Sequence, residues 1–180
     1  CLQSPMIKEL KIILLVVLGK KEGKNMTRNN YESALDQLDK SVIKMGSLVE
    51  KQIKEAVESL TKQDLKLARK VIEKDKVINE LELEIEEFIL KLIATQQPIA
   101  KDLRRIAAGF KIITDLERMG DNAVDIAKTI LRIGNEPLIK ALIDIPRMAE
   151  ITQNMLKESL DSYVTGDVEL AESLASKDDE

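Results

Sequence analysis

The sequence contains no histidine and no tryptophan, a single cysteine at position 1, and only two tyrosines and two phenylalanines. The absence of histidine removes the usual general base, every His-based catalytic triad and the commonest transition-metal ligand. One cysteine cannot form a disulfide or a thiolate metal site within the chain, which points to a reducing compartment. With aromatics at 2%, the core has to be built from Leu, Ile, Val, Ala and Met, a composition of long helices rather than of a sandwich or barrel. No concentrated basic surface is present. Lysines, arginines and acids interleave to a net charge of -4, which argues against a nucleic-acid partner. Long apolar runs are also missing. The most continuous, Ile12 to Leu18, is far too short to span a bilayer.

What is present is helical periodicity in a chain that is 44% hydrophobic and 33% charged. Tyr31, Leu35, Leu38, Val42, Met45, Val49, Ile53, Ala56 and Leu60 step by four and three, a single apolar stripe along one long helix. Thr61-Lys62-Gln63 breaks it, and Asp64 is placed to cap a second helix over about 65–94, with Val71, Ile78, Leu81, Ile85, Phe88, Ile89 and Leu92 inward. After Gln96-Gln97-Pro98, with the proline expected in the first helical turn, a third helix carries Ile99, Leu103, Ile106, Phe110, Ile113, Glu117, Gly120, Val124, Ala127 and Leu131 on its stripe. Gly134 ends it. A fourth helix is expected to open at Pro137 and to kink or restart at Pro146, with Leu138, Leu142, Ile145, Met148, Met155, Leu160 and Tyr163 inward. Asp167 caps a fifth. Short breaks between long helices imply a soluble, all-α, antiparallel helical bundle.

A shift of 103 residues lays Met45 on Met148, Lys54-Glu55 on Lys157-Glu158, Ser59 on Ser162, Asp64 on Asp167 and Lys74-Asp75 on Lys177-Asp178. Leu48, Ile53 and Val57 fall on Ile151, Leu156 and Leu160. A shared break with the capping aspartate in register marks an internal repeat of three helices. The expected organisation is therefore a first three-helix repeat over 26–134 and a partial second repeat over 135–180. Residues 1–25 read as a non-native or disordered leader, its apolar run like a signal-peptide core without a cleavage pattern, with translation expected to start at Met26.

Charged residues on an apolar stripe stand out. Glu117 lies on that of the third helix, Asp121 is four residues on, and Gly120 between them lets a backbone or ligand come close. Asp115 and Asp125 flank them, and Asp75 and Glu82 sit beside the seam of the second helix. Carboxylates facing an interior must be paired, protonated or bound to a cation, and several converging would suit a metal through oxygen ligands. The alternative is ion pairing of Glu117 with Arg118, Arg104, Arg105 or Lys111.

The segment from Asp115 to Ala127 (DLERMGDNAVDIA) resembles the signature of the PhoU family, regulators of phosphate uptake associated with the phosphate-specific transport system. Gln97 to Ile106 (QPIAKDLRRI) is similar to the family's entry into the same helix, and Asp75 to Glu86 to the helix before it. The resemblance implies a bundle of two three-helix repeats in a protein that is cytoplasmic, peripheral to the inner membrane through its partners, a homodimer, and not an enzyme. It implies repression of the phosphate-starvation response through contacts with a phosphate transporter ATPase and a sensor histidine kinase. It also implies iron or zinc at E/D-x-x-x-D motifs, which places metal candidates at Glu117, Asp121 and Asp75. Asn79 stands where the family often has an acid. Two other readings remain: a carboxylate metal-binding bundle serving as an enzyme or metal store, and a plain helical scaffold.

Overall fold

A computed structural model describes residues 28–177, so the leader assigned to 1–25 lies outside the described residues. Five helices follow in order: α1 (Arg28–Thr61), α2 (Leu65–Gln96), α3 (Ala100–Ile133), α4 (Asp144–Thr165) and α5 (Val168–Lys177). The described residues contain no strand. The first three helices pack on one another, α4 lies against α1, and α5 folds back on α4. Among the described residues no helix is long and apolar enough to cross a membrane.

The core runs along the stripe of α1. Leu38, Val42, Met45, Val49 and Ala56 lose all contact with solvent, against Val71, Ile85 and Ile89 of α2 and Ile106, Ile113, Ala127 and Ile130 of α3. Asp64 caps α2, its carboxylate accepting from the Lys66 and Leu67 amides at 2.9 and 3.0 Å. The α4–α5 corner repeats that turn 103 residues later. The Asp64 amide donates to the Ser59 carbonyl at 2.9 Å and the Asp167 amide to the Ser162 carbonyl at 3.1 Å. Gln63 and Gly166 take the same left-handed backbone, with φ 51° and 71°. Asp167 accepts from the Leu170 amide at 3.0 Å.

Two expectations about local structure are corrected. Pro98 precedes α3, which starts at Ala100 with Ile99 as its cap residue. The fourth helix opens at Asp144 rather than Pro137. Pro146 consequently falls in its first turn, where a missing N–H breaks no intrahelical bond and no kink is required. Of the residues expected inward on α4, Leu160 is buried, while Met148 is 63% exposed. Its counterpart Met45 is covered by the rest of the three-helix unit, and nothing in the described chain plays that part for Met148. The space beside α4 is consequently an open apolar groove facing α3, with volumes of about 380 Å³ and 250 Å³ in two adjoining parts. Ile112, Leu116 and Met119 line it from one side, and Met155, Leu156 and Leu160 from the other.

Glycines set where α4 sits. A Cβ on Gly46 would lie 2.2 Å from Leu160 Cδ1, and one on Gly109 would lie 2.7 Å from the Tyr163 hydroxyl. The Tyr163 hydroxyl donates to the Arg105 carbonyl at 3.4 Å, and the Arg105 guanidinium pairs with the buried Asp39 carboxylate. Burial pushes the Asp39 carboxyl above its usual range, against the pull of Arg105. It pushes the Tyr163 phenol up to about 12, with the Asp39 charge adding to the effect.

Substitution of Gly46 by Ala gains helix propensity of about 1 kcal/mol but drives a methyl into Leu160. Gly46→Ala is therefore expected to lower stability by about 1 kcal/mol net, the overpacking term exceeding the propensity gain. In a Leu160→Ala background the same change should become neutral or stabilising. Urea denaturation of the four proteins measures both signs, and an unchanged Gly46→Ala effect in the two backgrounds would remove Leu160 as its cause.

Candidate functional site

Residues seven apart on α1, Leu38, Met45, Gln52 and Ser59, form one buried line, each 3% exposed or less. Ser59 satisfies its hydroxyl locally by donating to the Ala56 carbonyl at 2.7 Å. Gln52 has no such recourse, because its carboxamide reaches across to α2. Its Nε2 donates to Asp75 Oδ1 at 3.0 Å, and Asn79 Nδ2, one turn on, donates to Asp75 Oδ2 at 3.5 Å. The other ends of both amides, Gln52 Oε1 and Asn79 Oδ1, are buried without a hydrogen-bond partner. An unpaired buried acceptor of this kind costs about 1–3 kcal/mol.

Gly120 brings α3 onto this group. A Cβ there would stand 3.0 Å from Gln52 Oε1, 3.6 Å from Ile78 Cδ1 and 3.7 Å from Asp75 Oδ1. Glu117 lies one turn before Gly120 and is half-buried, whereas Asp121 is exposed. The stripe passes from Glu117 to Gly120 to Val124, and Asp121 stands about 40° of helix rotation outside Glu117, on the solvent side of the stripe. Of the expected ligands, Asp75 and Glu117 thus face the seam between α2 and α3, and Asp121 stands at its outer rim. Arg118 pairs with Asp115 at 3.1 Å and Arg105 with Asp39, so neither pairs with Glu117.

The seam has an excess of negative charge. Burial raises the Glu117 carboxyl above its usual range, and Asp121 and then Asp75 raise it further, only partly opposed by Arg118. Glu82 is pushed up to about 7, first by burial and then by Glu117, Glu86 and Asp121. Among the described residues, no three His, Cys, Asp or Glu side chains converge closely enough to hold an ion. The oxygens that complete the arrangement belong to amides. Sequence reading missed Gln52 because the stripe was followed through Ile53. The strict seven-residue step from Leu38 and Met45 leads to it.

A family model described as the PhoU domain matches residues 42–130 and again 145–180. A phosphate-specific transport system accessory protein PhoU homolog from Clostridium acetobutylicum is 44% identical over 156 residues, covering 86% of this chain and 71% of the relative. The homolog from Aquifex aeolicus is 41% identical over 145 residues, covering 81% of this chain and 66% of that protein. Among solved structures, PhoU from Pseudomonas aeruginosa superposes with a TM-score of 0.78 at 34% identity, covering 83% of this chain and 72% of that one. The phosphate transport system regulatory protein PhoU from Streptococcus pneumoniae gives 0.76 at 30%, covering 83% and 70%.

An acid whose pKa is higher folded than unfolded binds its proton more tightly in the native state. Its contribution to stability is present below the unfolded value of about 4.5 and is lost as pH rises to about 7. Wild-type protein should therefore lose stability through that window relative to Glu82→Gln. At pH 8 the variant should be the more stable by about 1 kcal/mol, a figure reduced for a carboxylate still partly open to solvent. Denaturation midpoints from pH 4 to pH 8 test this, and parallel curves for the two proteins would reject it.

Proposed function

The chain belongs to the PhoU domain family, and from that membership we propose that it is a regulator of phosphate uptake and of the phosphate-starvation response. It acts by protein–protein contact rather than by turnover, on a phosphate transporter ATPase and a sensor histidine kinase. It works in the cytoplasm, at the inner membrane through those partners, and as a homodimer. The observation that carries this reading is the match to both stretches of the chain together with relatives of 41–44% identity whose names place them with phosphate-specific transport.

The regulation is linked to a cation. Asp75, Glu117 and Asp121 are the residues that would hold it, and because no three acidic side chains of the described residues stand close enough together to do so, binding would require them to draw together. The support is chemical: a stranded acceptor, Gln52 Oε1, is buried beside Asp75 where Gly120 lets α3 come close. Burial, and then the neighbouring acids, raise the Glu82 and Glu117 carboxyls there above their usual range. The donor set is all oxygen. That favours a hard or borderline ion such as iron(II) over zinc, which prefers nitrogen and sulfur. The bound ion would supply charge neutralisation and a bridge between helices.

Tagged protein incubated with solubilised membranes that carry the transporter ATPase and the kinase should retain at least one of the two. Retention of neither by protein with its full helical circular dichroism would refute the regulatory reading.

A further inference from the structure

We propose that the outer face of α2 and α3 is the surface on which two copies of this chain pair, about a two-fold axis parallel to the helices. This rests on the reading that the chain works as a homodimer, and it supplies the interface. Within the described residues α4 and α5 do not reach α2, and α4 approaches α3 on its opposite side, where Gly109 and Ile112 lie. A strip of apolar side chains is left open along the outer face. Leu83 is 59% exposed, Ile99 80% and Leu103 41%. Half-buried Leu90 and exposed Ala107 lie between them. Leu83 and Leu90, seven apart, share one line on α2. A contiguous apolar strip on helices otherwise covered with charge marks an interaction surface.

The charges beside the strip identify its occupant as a second copy. Glu82 and Glu117 mark the seam between the two helices, and each step of four residues turns a side chain about 40° round its helix. On α3 the path from Leu103 through Ala107 to Lys111 leads away from the seam and ends in a cation, with Arg104 beside it. On α2 the path from Leu83 to Glu87 leads away on the other side and ends in an acid. Both Lys111 and Glu87 are exposed, and neither has an ion-pair partner among the described residues. They also stand at one height. Gly120 lies beside Ile78, and in antiparallel helices Lys111, nine residues before Gly120, is level with Glu87, nine residues after Ile78. A two-fold axis along the helices preserves height and exchanges flanks, laying α2 of each protomer on α3 of the other. Lys111 of each protomer then meets Glu87 of the other, and Leu90 falls within a residue of the height of Ala107, whose small side chain leaves room for it. An axis across the helices would instead lay α3 on α3 and set like charges together, so the flanks select the first arrangement. The seam acids stand at the lower end of the strip. Helices of the two copies that cross at about 20° part there, which keeps those like charges separated.

Sedimentation velocity of the whole chain over a concentration series measures the pairing. Wild type should dimerise, and Leu90→Asp or Leu103→Asp should shift it to monomer. Lys111→Glu and Glu87→Lys should each raise the dimer Kd by roughly tenfold, since two attractive pairs become two repulsive ones. An equal mixture of those two variants should recover the wild-type Kd, as should the chain that carries both changes. A merely structural role for either residue does not predict recovery by mixing. If an aspartate variant loses its helical circular dichroism, the charge variants, both at exposed positions, decide alone. A dimer that survives all four single changes overturns this face and leaves the homodimer reading standing. Charge variants that weaken the dimer and recover neither on mixing nor in combination overturn the two-fold arrangement. A wild-type chain that stays monomeric throughout overturns both.

Discussion

Asp75 sits where α1, α2 and α3 meet, and its charge is answered from within the chain by amides rather than by a lysine or arginine. Much of the surrounding structure follows from that substitution. An arginine would need room for a planar fork and would separate the helices, whereas a glutamine fits the space of a core methionine. Gln52 therefore continues the buried line of Leu38 and Met45 with its backbone in register. The cost is an acceptor with no donor, which a hydrogen-bonded core ordinarily avoids. Such a residue is hard to explain as packing alone, since leucine would fill the site without stranding an oxygen.

A second buried polar group shows the contrasting solution. At the other end of α1, Asp39 is neutralised by Arg105, and the Tyr163 hydroxyl closes over the backbone of that arginine. Here the pair is held and the outcome is structural: the last turns of α4 are fixed across α1 and α3. Both groups need a glycine on α3. Gly109 admits Tyr163 and Gly120 admits Gln52, eleven residues or about 16 Å apart on one helix. The sites differ in charge balance. One carries an acid with its base, and the other carries acids whose carboxyls are raised by burial and by one another.

Most of the bundle can be read from the order of residues, because the signals involved are local. Four-and-three stepping defines α1 to α3, Asp64 marks the turn into α2 and Asp167 the turn into α5, and the 103-residue match anticipates a corner whose hydrogen bonds recur. Three features lie beyond such reading. The start of α4 depends on whether residues 137–143 find a surface to pack on, and Ile139 and Ile143 find none. Asp121 neighbours Glu117 on the helix but lies about 40° further toward solvent, enough to leave it exposed where Glu117 is half-buried. The pairing of Asp39 with Arg105, and of Gln52 with Asp75, joins residues distant in the chain, and only the assembled helices bring them together. The inward acid was visible at Glu117, but the amides that define the seam were not, because glutamine on a charged helix normally faces water.

The seam and the seat of α4 are close neighbours. Gly46, against which Leu160 packs, precedes Gln52 by six residues, about 9 Å along the same helix. Leu160 also lines the open groove between α3 and α4. The helix that carries Gln52 therefore also carries the second set of helices, and it does so through a close contact between Gly46 and Leu160. Close-packed contacts of this kind respond to small displacements by repacking rather than by yielding smoothly. A tightening of α1 onto α2 at Gln52 would thus be felt at Leu160, at the edge of the apolar groove. This route needs only a buried polar contact, a glycine crossing and a rigid helix, all of which lie in the part of the molecule shared by the seam and the groove.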